Sequence, residues 1–220
     1  MDRIETLLAA MTLEEKIGQL TMMSSNLAVT GPVLPGDVTE GIRAGRIGSL
    51  FNHWGADRVR ETQRLAVEET RLKIPLLFAF DVIHGHRTIF PIPLAEAAAF
   101  SPELWEHTAR EAGMEAAEDG LDLVFSPMLD VARDLRWGRI SEGPGEDPWI
   151  ASRIAEAKVR GYQTADLAAP GAVAACAKHY LAYGAALAGR DTTRPRSRTG
   201  RSARSICRPS PPRSPPGRPR

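Results

Sequence analysis

The sequence predicts an α/β fold with parallel strands, roughly the first half of a TIM-type (β/α)8 barrel followed by a disordered C-terminal tail. Three observations predict it. Short apolar runs of strand length alternate with helical patterns along the chain. Each run ends in charged or polar residues, as barrel strands do at their active-site end. The last 29 of the 220 residues then change composition abruptly.

The elements follow in order. Residues 2–22 place Ile4, Leu7, Leu8, Met11, Leu13, Ile17 and Leu20 at roughly helical spacing. Thr12 followed by Glu15 is a capping box, so a second helix starts there. Residues 25–40 are rich in Gly, Pro, Ser and Thr and read as loop. Ile47–Phe51, after Gly45, is a short strand, and Val59–Thr70 has a helical pattern. Ile74–Asp81 (IPLLFAFD) is continuously apolar until its final carboxylate. A strand covered on both faces of a parallel sheet has that pattern. Ser101–Gly120 is a helix with Ser101 as N-cap, Pro102 at the first position and Gly120 as stop. Leu121–Pro127 is a buried strand, Pro148–Thr164 a helix, and Ala172–His179 a further apolar run ending in Lys178 and His179.

Right-handed crossovers between parallel strands account for this alternation. A doubly wound sheet is the alternative, but no Gly-rich phosphate fingerprint follows any of the strands, which weakens a nucleotide-binding reading. A complete barrel needs roughly 250 residues. About four strands of eight would leave two unpaired edges, which invites aggregation.

Charge divides the chain. Residues 192–220 hold nine of the 28 basic residues and no acid, leaving 19 basic against 27 acidic residues in 1–191. An acidic body gives no reason to expect a nucleic-acid partner. Two cysteines make no disulfide framework, and Cys176 reads as a small core residue. The N-terminus has charges scattered through it and no continuous apolar region, so it is not a secretory signal. No apolar run approaches a membrane span. The expected location is the cytoplasm, and no cofactor or metal is expected.

The tail has nine Arg, seven Pro and five Ser, with Ile206 its one large apolar residue. It cannot bury enough surface to offset its ordering entropy and is expected to be disordered. Arg/Ser-rich tails can bind RNA. The composition also matches a shifted reading frame in a GC-rich gene. The expected organisation is a partial barrel domain over 1–191 and a frameshift product over 192–220.

Three clusters at strand ends carry chemistry. Asp81-Val-Ile-His84-Gly-His86-Arg87 puts a carboxylate beside imidazoles, where paired sugar hydroxyls could bind. A solvated strand–loop junction is the plain alternative, and metal ligation lacks further ligands at suitable spacing. The second cluster runs from Asp130 to Pro148, DVARDLRWGRISEGPGEDP. Its Arg forks could hold hydroxyls and its Trp could stack on a sugar ring, or the charges could form a surface network. The third is Lys178-His179-Tyr180-Leu-Ala-Tyr183-Gly184 with Gly189-Arg190-Asp191.

Together these clusters resemble glycoside hydrolase family 3, of the bacterial β-glucosidase type. MTLEEKIGQL, FAFDVIHG, SPMLDVARDLRWGRISEGPGEDP and KHYLAYGAALAGRD follow the family's order over about residues 3–191. Leu135, where the family commonly has Pro, and GAALAGRD, where Gly-Gly-Arg-Asp is more usual, depart from the pattern. The resemblance implies that Asp81, Arg139, Lys178, His179 and Arg190 line the subsite for a terminal non-reducing β-D-glucosyl unit of a small carbohydrate substrate. They would hold its hydroxyls by charge-assisted hydrogen bonds. Retaining hydrolysis needs two carboxyl groups roughly 5–5.5 Å apart. The family's nucleophilic Asp sits in a Ser-Asp-Trp-type motif and its acid/base Glu in a second domain. This sequence contains no Ser-Asp-Trp, so no catalytic residue is assigned and the 220-residue chain is expected to be inactive. A non-catalytic carbohydrate-binding half-barrel, or an RNA-associated protein acting through its tail, is the alternative.

Overall fold

The computed structural model describes residues 2–25, 37–180, 182–186 and 188–190. The expected tail, and most of the expected 25–40 loop, lie outside the described residues. Two N-terminal helices come first, α1 (Arg3–Ala10) and α2 (Leu13–Gln19). The capping box forms as its residues require: Thr12 Oγ accepts from Glu15 N–H and the Glu15 carboxylate accepts from Thr12 N–H. Then follow β1 (Met22–Ser24), α3 (Val38–Arg43), β2 (Ser49–Phe51), α4 (Ala56–Glu69), β3 (Leu77–Phe80), α5 (Pro93–Ala98), α6 (Pro102–Glu118), β4 (Leu123–Val124), α7 (Pro148–Gln163) and β5 (Ala174–Ala175). Single 3-10 turns cover Gly138–Glu142 and Tyr183–Ala185.

The five strands of the described residues are parallel and stand in chain order, β1-β2-β3-β4-β5. Successive strands that neighbour one another without any reversal of order are the arrangement of a barrel wall, not of a doubly wound sheet. The fold is an incomplete (β/α)8 barrel.

Among the described residues there are five strands, where the sequence predicts about four. Only two residues separate α2 from β1, so the three residues of β1 stand directly behind the helical spacing that runs to Leu20 and show no pattern of their own. The other strands are shorter than their apolar runs, although ladder bonds continue past them, as from Asn52 N–H to Ala79 O (3.1 Å) and Cys176 N–H to Val124 O (2.9 Å). In β3, consecutive residues Phe78 and Ala79 are both buried, at 1% and 0% exposure, confirming a strand covered on two faces. The main core joins Leu50, Phe78, Val82 and Val124 of the wall to Ile42, Val59, Ala66, Ala109, Ala112 and Tyr162 of the helices. Cys176 is half-buried, not core, because it follows the edge strand β5.

Side chains fix the lower ends of the strands. The Gln63 amide donates to Leu76 O (3.0 Å) and accepts Leu76 N–H (2.7 Å), pinning α4 to the start of β3. Asp122 accepts Phe78 N–H at 2.9 Å, and its burial pushes its carboxyl up. Gln163, ending α7, accepts Ala175 N–H at 3.1 Å and so covers a donor of β5. The upper ends are pinned by Tyr162, whose hydroxyl donates to Val82 O at 2.9 Å and lies 3.1 Å from Ser126 Oγ. Val82 follows Asp81 directly, so a helix side chain sets where β3 ends. Beneath the same region Lys158 of α7 forms an ion pair with Glu96 of α5; the two side chains are only 4% and 2% exposed.

Candidate active site

The C-terminal ends of β3, β4 and β5 bring together residues nearly a hundred positions apart. Lys178 Nζ donates to Asp81 Oδ1 at 2.5 Å, joining the end of β5 to the end of β3. Lys178 is largely buried (14% exposed), whereas Asp81 is 54% exposed and keeps acceptor capacity toward solvent. His179 is held by Asp130, which follows β4: Asp130 Oδ2 accepts His179 N–H at 3.0 Å and lies 2.7 Å from Nδ1. Asp130 is buried, so this contact sets the ring's orientation and puts the Nδ1 proton toward the carboxylate. The peptides Ser126–Pro127 and Lys178–His179, both at these strand ends, are cis.

Arg139 enters from the loop after β4. Nε and Nη2 each donate to the Glu142 carboxylate at 2.7 Å, a bidentate pair. Nη1 lies 3.5 Å from His179 Nε2. The arginine holds the Glu142 carboxyl below its ordinary value of 4.5 despite partial burial, and Glu142 in turn raises Arg139. The guanidinium also lies over the Tyr183 ring, 5.3 Å from its centre.

This loop is a folded unit. Ala132 N–H bonds Gly145 O (2.9 Å) and Arg133 N–H bonds Gly184 O (3.2 Å), closing it on itself and on the segment after β5. Trp137 anchors it, packed with Met128, Ala132 and Ala186 at 1% exposure. A stacking role for Trp137 on a sugar ring is therefore corrected: the indole is core, without a face to offer.

Of the expected residues, Asp81, Arg139, Lys178 and His179 are joined by these contacts. Arg190 is exposed at the end of the described residues, on a loop held by Ala188 N–H to Asp134 Oδ2 at 2.9 Å. The imidazoles near Asp81 turn to structural tasks. His84 Nδ1 contacts Phe90 O at 2.9 Å, and His86 Nε2 lies 2.6 Å from the buried Asp119 carboxylate. Among the described residues, no group of three or more His, Cys, Asp or Glu could hold a metal ion, and no helix is long and apolar enough to cross a membrane. Asp130, Glu142 and Tyr183 also belong to the site, although nothing in their clusters' sequence assigns them a part in it. Their one sequence signal was a carboxylate or aromatic ring near basic residues, which does not say what faces what.

Polar groups gathered at the C-terminal ends of parallel strands define the class: α/β-barrel enzymes, which work at that face. The comparisons narrow it. The model of the glycosyl hydrolase family 3 N-terminal domain matches residues 12–202. The periplasmic β-glucosidase of Salmonella typhimurium is 41% identical over 189 residues, covering 86% of this chain and 24% of that protein. The lysosomal β-glucosidase of Dictyostelium discoideum is 30% identical over 86% of this chain and 27% of that protein. A crystal structure of the Listeria innocua β-glucosidase with isofagomine superposes with a TM-score of 0.79 at 41% identity, covering 86% of this chain and 27% of that one. The chain belongs to glycosyl hydrolase family 3, and it spans about a quarter of the length of these relatives.

One expectation is overturned. A cytoplasmic location conflicts with relatives that are periplasmic and lysosomal. The reason is structural: residues 3–19 form α1 and α2, part of the domain, so their lack of a leader pattern says nothing about export.

Proposed function

We propose that this chain forms the glucosyl-holding part of a β-glucosidase site, acting in the retaining hydrolysis of terminal non-reducing β-D-glucosyl residues. The observation that carries this is the contact of Lys178 with Asp81 and of Arg139 with His179 on one barrel rim. Asp81, half exposed, accepts a pair of sugar hydroxyls while Lys178 balances its charge. Arg139 has donors left after its fork to Glu142. With Nδ1 directed at Asp130, His179 presents Nε2 to a sugar hydroxyl. Arg190 closes the subsite from the following loop. Such contacts accelerate hydrolysis where they strengthen as the ring distorts toward the transition state.

The residues for bond cleavage are a separate matter. Asp130 is committed to His179 and Glu142 to Arg139, so neither serves as nucleophile or acid/base. The 220-residue chain, as a polypeptide on its own, binds the sugar and does not cleave it. We further assign 1–191 as the barrel unit and 192–220 as a frame-shifted segment outside it. The test is an assay of the purified chain on an aryl β-glucoside beside a glucose titration. Saturable binding without turnover is expected. Turnover well above a heat-killed control would overturn the inactivity, and absence of glucose binding would overturn the subsite.

A further inference from the structure

The two donors of the rim arrive from different places, Arg139 from a long loop and His179 from the end of β5. One ring packs against both. Tyr183 meets the His179 imidazole edge-on, with ring centres 4.9 Å apart and planes at 82°. On another side it carries the Arg139 guanidinium, 5.3 Å from its centre. Buried Trp137 backs it, 5.4 Å away at 77°. The phenol is thus wedged between a fixed indole and two site cations or potential cations.

The backbone holds the wedge in place. Tyr183 opens a single 3-10 turn whose next two residues, Gly184 and Ala185, are buried. A Cβ on Gly184 would stand 2.5 Å from Val131 O, so only glycine lets the turn press this closely on the segment after β4. Gly184 O accepts Arg133 N–H at 3.2 Å, locking the same approach. Alternative supports for the donors exist: Asp130 fixes His179 from behind and Glu142 fixes Arg139 from the side. Neither touches both donors. Tyr183 does.

We infer that Tyr183 is a positioning residue of the glucosyl subsite, setting the distance between Arg139 and His179 by packing its ring against both. The inference rests on the proposed subsite for its meaning, but its geometry can be tested apart from it. The needed feature is the ring.

The experiment is NMR on the isotope-labelled 220-residue chain, with the His179 ring signals assigned by their loss in His179→Gln. Contacts between Tyr183 ring protons and the His179 and Arg139 side chains are expected in the unaltered chain. Tyr183→Leu is expected to move the His179 ring signals and weaken glucose binding roughly tenfold. Tyr183→Phe is expected to keep the His179 signals near their original positions and glucose affinity within about threefold. His179 signals that stay put in Tyr183→Leu, or missing ring contacts in the unaltered chain, would overturn the inference; the second readout needs no variant to fold. If glucose fails to bind the unaltered chain, the subsite reading falls, while the NMR contacts still decide the placement of Tyr183.

Discussion

Two lysine–carboxylate pairs sit in neighbouring layers of the molecule and do opposite things. Lys158–Glu96 is sealed between α5 and α7, with both side chains under 5% exposed. Lys178–Asp81 spans the rim, with its carboxylate half in solvent. A sealed pair can only hold the fold, and it does so at the cost of desolvating two charges. An open pair contributes little to stability but leaves charged oxygens available to a ligand. Burial, not the pairing itself, separates a structural ion pair from one with a free face.

That contrast can be broken by mutation. The largest effect is expected at the sealed pair. Lys158→Met alone leaves Glu96 buried and uncompensated, so denaturant unfolding should report a loss of about 3–5 kcal/mol, while the double change Glu96→Leu/Lys158→Met should recover most of it. A recovery of nothing would mean that the pair is not an isolated unit. A smaller loss, about 1–3 kcal/mol, is expected for Tyr162→Phe, which strips the buried Val82 carbonyl of its donor. Because Val82 adjoins Asp81, this variant should also weaken glucose binding; unchanged binding would detach the Tyr162 pin from the site.

The smallest stability effects belong to the rim. Asp81→Asn should change unfolding by under about 1 kcal/mol. A pH test sharpens the same point at Glu142, whose carboxyl Arg139 holds below 4.5. A depressed carboxyl contributes stability that is full above its unfolded value and is lost as pH falls through the lower folded value. Glu142→Gln should therefore flatten the decline of stability below about pH 4.5. An unaltered acid limb in that variant would show that other carboxylates govern it.

The same contrast explains what was legible in the sequence. The wall strand β3 was plain in IPLLFAFD, since a strand buried on both faces has no polar residue to interrupt it. The helix starts were plain too, because Thr12, Ser101 and Pro148 act through neighbours a few residues away. β1, α3 and α5 were missed: each is six residues or fewer, too short for a period to show. The four linked site residues could be named from a family resemblance, as each stands at a strand end or in a motif loop. What holds them could not. Asp130 on His179, Tyr162 on Val82 and Tyr183 on Arg139 are contacts across 44–80 positions, set by the fold. The misreading of Trp137 has the same origin, because a Trp in a charged loop gives no sign of which way the loop folds.

The central claim is that the open rim holds a glucosyl unit while the sealed layer beneath only supports it. Calorimetric titration of glucose into the 220-residue chain and into Asp81→Asn tests this most directly. Saturable binding is expected to the first and a loss of tenfold or more in the second, roughly the worth of one charged hydrogen bond, with the unfolding midpoint preserved. Equal affinity in the two chains, or no binding to either, would contradict it.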